Sequence, residues 1–181
     1  MTDLKLKILY FEYIIYLLLQ WHKEIYSNVD PIASFTRLKS LKLLFLVSSV
    51  NATQDNNGLL DIFDKFYAMQ HGPVESDVYN AMVTSQTHIF DFKERVTTLK
   101  PLDRNIFSQI PEEIKNKIEG AISSLKKRNR LIVTYKPFEL VEITHKWKSW
   151  QVALGIAQIL GKGSELMSTE SIKNDFKYFS N

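Results

Sequence analysis

The chain reads as a mainly α-helical, single compact multi-helix domain, with one short extended segment near 131–135. Three observations carry this reading: apolar residues recur at three-to-four spacing through most of the chain, proline, glycine and capping residues stand where helices should begin and end, and no repeat, low-complexity tract or linker divides the sequence. Its 181 residues, 45% of them hydrophobic, suffice for one sizeable core.

Leu4 to Tyr26 is predicted as the first helix. At 100° per residue, Lys5, Glu12, Tyr16, Gln20 and Lys23 fall in one narrow polar stripe, and the rest of the surface is largely apolar. Such a helix needs cover on most sides, so it reads as a core helix. One face, near the interface-prone aromatics Tyr13 and Tyr16, is expected to be open to a partner or to a second copy of the chain. Asp30 and Pro31 mark the start of a second helix running to about Val50, with Leu38, Leu41 and Phe45 on one face. Asn51 to Gly58 is a loop. The spacing of Leu59, Ile62, Phe63 and Phe66 predicts a helix to Met69, broken by His71, Gly72 and Pro73; the next helix restarts with Pro73 in its first turn and carries Val74, Val78 and Met82.

Ser85 to Ile110 lacks periodicity and is expected to be irregular with short helical turns. Pro111, Glu112 and Glu113 open a helix carrying Ile114, Ile118, Ile122 and Leu125, closed by Lys126, Lys127 and Arg128 at the negative end of its dipole. Leu131 to Tyr135, β-branched and apolar, reads as a short strand or an extended connector before Pro137. Helix resumes through Trp147, Trp150, Leu154 and Ile156 to Leu160 and ends at Gly161 and Gly163. Ser168 caps a last helix carrying Ile172, Phe176 and Phe179. Trp150 is expected to be buried.

Composition narrows the function. With no cysteine, thiol catalysis, thiolate metal sites and disulfides are excluded. Four histidines at 22, 71, 88 and 145 lack the spacing that sets two ligands on one helix face, so no metal site is expected. No nucleophile elbow, phosphate-binding loop or dinucleotide turn occurs, and the carboxylate pairs Glu112 with Glu113 and Asp61 with Asp64 suit helix ends and surfaces. Neither an enzyme nor a cofactor is expected. A net charge of +3 is weak for a protein living on phosphate contacts. The basic runs Lys126 to Arg130 and His145 to Lys148 keep a nucleic-acid-binding regulator as the alternative. The apolar run Ile8 to Leu19 is too short to span a bilayer and contains Glu12, and no signal-peptide cleavage pattern follows it; a cytoplasmic location is expected.

Three segments taken together resemble a known family. They are Leu41, Lys42, Leu43, Leu44, Phe45 and Leu46; then His71, Gly72, Pro73 and Val74 with Tyr79; then Leu140 to Thr144 and His145 with Trp150. In this order and rough spacing they are similar to the Panacea domain of SocA-like antitoxins of bacteria and their phages. The similarity runs from about Leu38 to Phe179. It divides the chain into an N-terminal helix, 1–30, added to a helical domain, 31–181. Family members commonly carry an aromatic or aliphatic pair before Gly-Pro-Val, where this chain has Gln70 and His71. The resemblance implies a protein that neutralises a cognate protein toxin by direct binding, in some relatives also delivering it to a protease, with no catalytic activity. The motif residues then serve either as partner contacts or as a structural corner with Tyr79 packed beneath it.

Overall fold

The computed structural model describes residues 3–101 and 104–180. Residues 1 and 2 of the N-terminal part, 102 and 103 within the stretch expected to be irregular, and 181 lie outside them. The fold is mainly α, with seven α-helices and two small sheets among the described residues.

Helix α1, Leu4–Ile25, is capped by Asp3, whose carboxylate accepts from the Lys5 and Leu6 N–H groups. Most of its circumference is buried in a hydrophobic cluster that also takes in residues from every later helix. Two charged residues of α1 are buried with it, and each is satisfied. Glu12, expected in the polar stripe, sits wholly inside and accepts from the backbone N–H groups of His88, Ile89 and Phe90 at 2.8, 2.7 and 3.0 Å, with His88 Nδ1 also at 2.8 Å. The Lys7 amine lies among Asp64, Glu75 and Asp77 at 2.8, 3.0 and 2.8 Å. Burial alone lowers a lysine pKa, but the three carboxylates reverse the sign and hold Lys7 above the usual range.

Helix α2, Arg37–Ser49, begins at Thr36, six residues beyond the Asp30 and Pro31 start expected from sequence. Those two residues cap only a single 3-10 turn, Ile32–Ser34, because the Phe35 side chain turns fully into the core and breaks the helical path. From Lys39 onward every residue of α2 is buried.

The helix expected over Leu59 to Met69 is instead a compact turn followed by a strand, β1, Phe66–Met69. Phe66 and Ala68 are buried while Tyr67 and Met69 are half-buried, a period of two hidden within spacing that also fits a helix. β1 pairs antiparallel with β2, Gly72–Glu75. Pro73 therefore lies in a strand and not at a helix start. Helix α3, Ser76–Val83, is capped by Glu75, whose carboxylate accepts from the Val78 N–H.

In the stretch expected to be irregular, β3, Phe90–Phe92, and β4, Thr97–Leu99, form an antiparallel hairpin, followed by a 3-10 segment, Arg104–Gln109. Helix α4, Glu112–Arg128, follows Pro111 as expected. Ile132–Thr134 is a 3-10 turn and not an extended segment, held by Asn129, whose carboxamide oxygen accepts from the Leu131 N–H.

The long helix expected after Pro137 is two: α5, Pro137–His145, and α6, Lys148–Ile159. Trp147 makes the break by entering the core edge-on to Phe45, at 4.8 Å between centroids, and Asp175 caps the new helix through the Lys148 and Ser149 N–H groups. A two-residue strand, β5, Glu165–Leu166, adds to β1 to complete the order β2-β1-β5. Ser168 caps a final helix, α7, Thr169–Lys173, which stops short of Phe176 and Phe179. No helix among the described residues is long and apolar enough to cross a membrane.

Candidate functional site

The three motif segments converge on one turn. Gly72 closes the β1–β2 hairpin at φ +92°, a conformation that L side chains rarely adopt. A Cβ built on it would meet Thr144 Oγ1 at 2.5 Å and Lys42 Nζ at 3.1 Å. Gly72 is thus required twice, for its backbone angle and for the approach of α5 and α2. From α2, the wholly buried Lys42 donates to the Pro73 carbonyl at 2.6 Å. Burial holds its amine well below the usual lysine range. From α5, the buried Thr144 donates to the Val141 carbonyl at 3.0 Å. From α6, the Trp150 indole N–H donates to the Met69 carbonyl at 3.0 Å, and the ring stacks on His145 with centroids 3.9 Å apart and planes 8° from parallel. Trp150 is buried, as expected.

Val74 and Pro73 are buried; Tyr79 is half-buried against the core. His71 and Glu142 are the exposed residues of the motif, His71 edge-on to Phe138 at 6.0 Å. Most of the motif is therefore a pinned corner, and its outer surface is a groove of about 820 Å³. The start of α2, the β1–β2 turn, the start of α5 and the β3–β4 turn form its walls, with Leu38, Leu41, Met69, Val74 and Phe138 as apolar lining. Sequence reasoning does not single out Phe138, Arg37 or Arg95. They belong to segments far apart in the chain, and no local pattern links them; only the proline before Phe138 marks that position as a helix start.

Tyr13 and Tyr16 lie elsewhere. Tyr13 is buried, donates to Glu119 at 2.5 Å and packs on Phe107 at 5.2 Å, so the face expected to be open near it is covered by α4 and the 3-10 segment. Tyr16 is half-buried against the same Phe107. The basic and aromatic cluster near Trp147 is likewise not a stacking surface: Trp147 is fully buried, its indole N–H donates to the Tyr178 carbonyl, and Lys177 covers its ring. In the other basic run, Lys126 pairs with Glu24. Among the described residues no group of three or more acidic or histidine side chains is placed to hold a metal ion.

His145 gives the corner a pH dependence. Burial lowers its pKa below the usual value; Lys42 and His71 act in the same direction, against Glu142 and a backbone hydrogen bond with Gln70. A histidine held neutral in the fold takes up its proton more readily when unfolded, so its contribution is complete above about pH 6.5 and is lost as pH falls below that. The melting temperature is expected to fall between about pH 7 and 5.5, and more shallowly in His145→Gln. An identical slope in the variant would assign the dependence to other groups, such as His22, which burial also lowers.

Residues 41–151, more than half of the chain, match the family model described as "Antitoxin SocA-like, Panacea domain". No curated protein and no solved structure matches the chain.

Proposed function

The chain belongs to the SocA-like antitoxin family with the Panacea domain, and from this premise we propose that it neutralises a cognate toxin protein by binding it directly in the cytoplasm. The family match over the motif region carries the reading, supported by the way the motif segments build one rigid corner beneath an apolar groove. A preformed surface on a packed scaffold suits tight protein binding because little order is lost on association.

The test is co-expression with small open reading frames neighbouring the gene. A frame that arrests growth alone and is harmless with this chain, and whose product forms a stable complex with it, is the expected result. Rescue without a complex, or no rescue from any neighbour, would end the proposal. Toxin half-life in the same cells separates masking, which leaves it unchanged, from delivery to a protease, which shortens it.

Nucleic-acid binding is expected to be weak. At about 150 mM salt a chain of this small net charge releases few counterions, so random duplex should bind no tighter than micromolar. Nanomolar shifts abolished by alanine at Lys126, Lys127, Arg128 and Arg130 would reinstate a regulator.

A further inference from the structure

The groove above the corner has a chemical bias. Arg37, Lys42 and Arg95 line it together with the exposed His71, and Glu94 is the one carboxylate among the lining residues. Lys42 lies beneath the surface and holds the turn, which leaves the two arginines and His71 to face an occupant. The Arg37 guanidinium gives one hydrogen bond, to the Phe92 carbonyl at 3.2 Å, while its Nε is buried without a hydrogen-bond partner among the described residues. Polar donors thus outnumber acceptors, and they are set among aliphatic side chains with Phe138, 63% exposed, at the rim.

An acceptor-only group is the chemical complement of such a lining: a carboxylate accepts from guanidinium groups, bidentately where the geometry allows, and presents no donor needing a partner. The apolar walls call for an apolar side chain beside it. A nucleic-acid backbone fits less well, since its phosphates repeat every few ångströms along a strand, whereas the two arginines share one groove bordered by Glu94 and aliphatic wall.

We propose that this groove is the toxin-docking surface and that it takes an acidic segment of the toxin carrying an apolar anchor, the carboxylate facing Arg37 and Arg95 and the anchor lying against Leu38, Leu41 and Phe138. The proposal rests on the antitoxin reading and names the surface and chemistry of that interaction.

The test uses the full chain and the toxin identified by co-expression. Arg95→Glu and Phe138→Ala are chosen because both side chains are exposed, so the melting temperature should stay at the wild-type value. Each is expected to weaken the toxin complex tenfold or more by calorimetry, and among peptides tiled across the toxin the one that binds should be acidic with an apolar residue. Replacing that peptide's acidic residue by arginine should abolish binding to wild type and restore it to Arg95→Glu. If wild type binds the toxin and both variants bind within twofold of it, the groove is not the docking surface, although the antitoxin reading stands. If wild type binds no toxin, that reading fails and takes this one with it. Displacement of the toxin peptide by a random-sequence oligonucleotide at micromolar concentration would overturn the proposal in favour of nucleic acid.

Discussion

Gly72→Ala is expected to lower the melting temperature by about 10 °C. A non-glycine residue at φ +92° carries roughly 1 to 3 kcal/mol of backbone strain. The added methyl would also stand 2.5 Å from Thr144 Oγ1. Overpacking of this kind costs about 1 to 3 kcal/mol. Together they amount to about 2 to 6 kcal/mol, centred near 4, and for a chain of this size each kcal/mol moves the midpoint by roughly 2 to 4 °C. The neighbours have little room to yield, because Thr144 is buried in α5 and Lys42 is held by the Pro73 carbonyl. Thr144→Ala alone should cost about 1 kcal/mol for its hydrogen bond. In the double variant the clash with the hydroxyl is gone, so its destabilisation should fall short of the sum by about 1 to 2 kcal/mol. Thermal melts of the four proteins measure this directly. A neutral Gly72→Ala would mean that the turn relaxes freely and that the corner is not a rigid support for the groove.

The second large effect concerns Lys7→Met. Methionine fills a similar volume but leaves Asp64, Glu75 and Asp77 facing one another, with Glu75 wholly buried. Removing one partner from a buried ionic group costs about 3 to 5 kcal/mol, chiefly because the remaining charge is uncompensated. The attraction is mutual. Although burial pushes the Asp77 pKa upward, Lys7 and Lys65 together hold it below the usual carboxylate range. Adding Glu75→Gln to Lys7→Met removes the most deeply buried charge and keeps an oxygen to accept from the Val78 N–H, so the pair should recover about half of the loss. Denaturant unfolding of the single and double variants provides the comparison. Equal stability of Lys7→Met and wild type would show that α1 is joined to the motif region by apolar packing alone.

How much of this arrangement is legible in the amino-acid sequence depends on the range of each signal. Ser168, and Pro111 with Glu112 and Glu113, mark helix starts through chemistry confined to one turn, and the helices begin there. Trp150 reads as a core residue because a large amphipathic ring within an apolar segment has few other places to go, and it is buried. Four residues from Phe66 to Met69 are too few to separate a strand from a helix by periodicity, and the pairing that decides the matter comes from Gly72 to Glu75. Glu12 reads as a surface residue because its carboxylate is satisfied by backbone N–H groups more than seventy positions away, which no side-chain pattern reveals. The corner residues stand out through their resemblance to a family motif, but the groove does not, since its lining comes from segments scattered between Thr36 and Phe138.

The cover of α1 arrives late in synthesis. Tyr13 waits for Glu119, 106 residues downstream, and the Trp21 indole N–H donates to the Arg130 carbonyl, 109 residues downstream. Until α4 has left the ribosome, this long apolar helix has no complete place to bury itself. Contacts of such sequence separation form slowly, and the waiting intermediate exposes the kind of surface that chaperones hold and proteases clear.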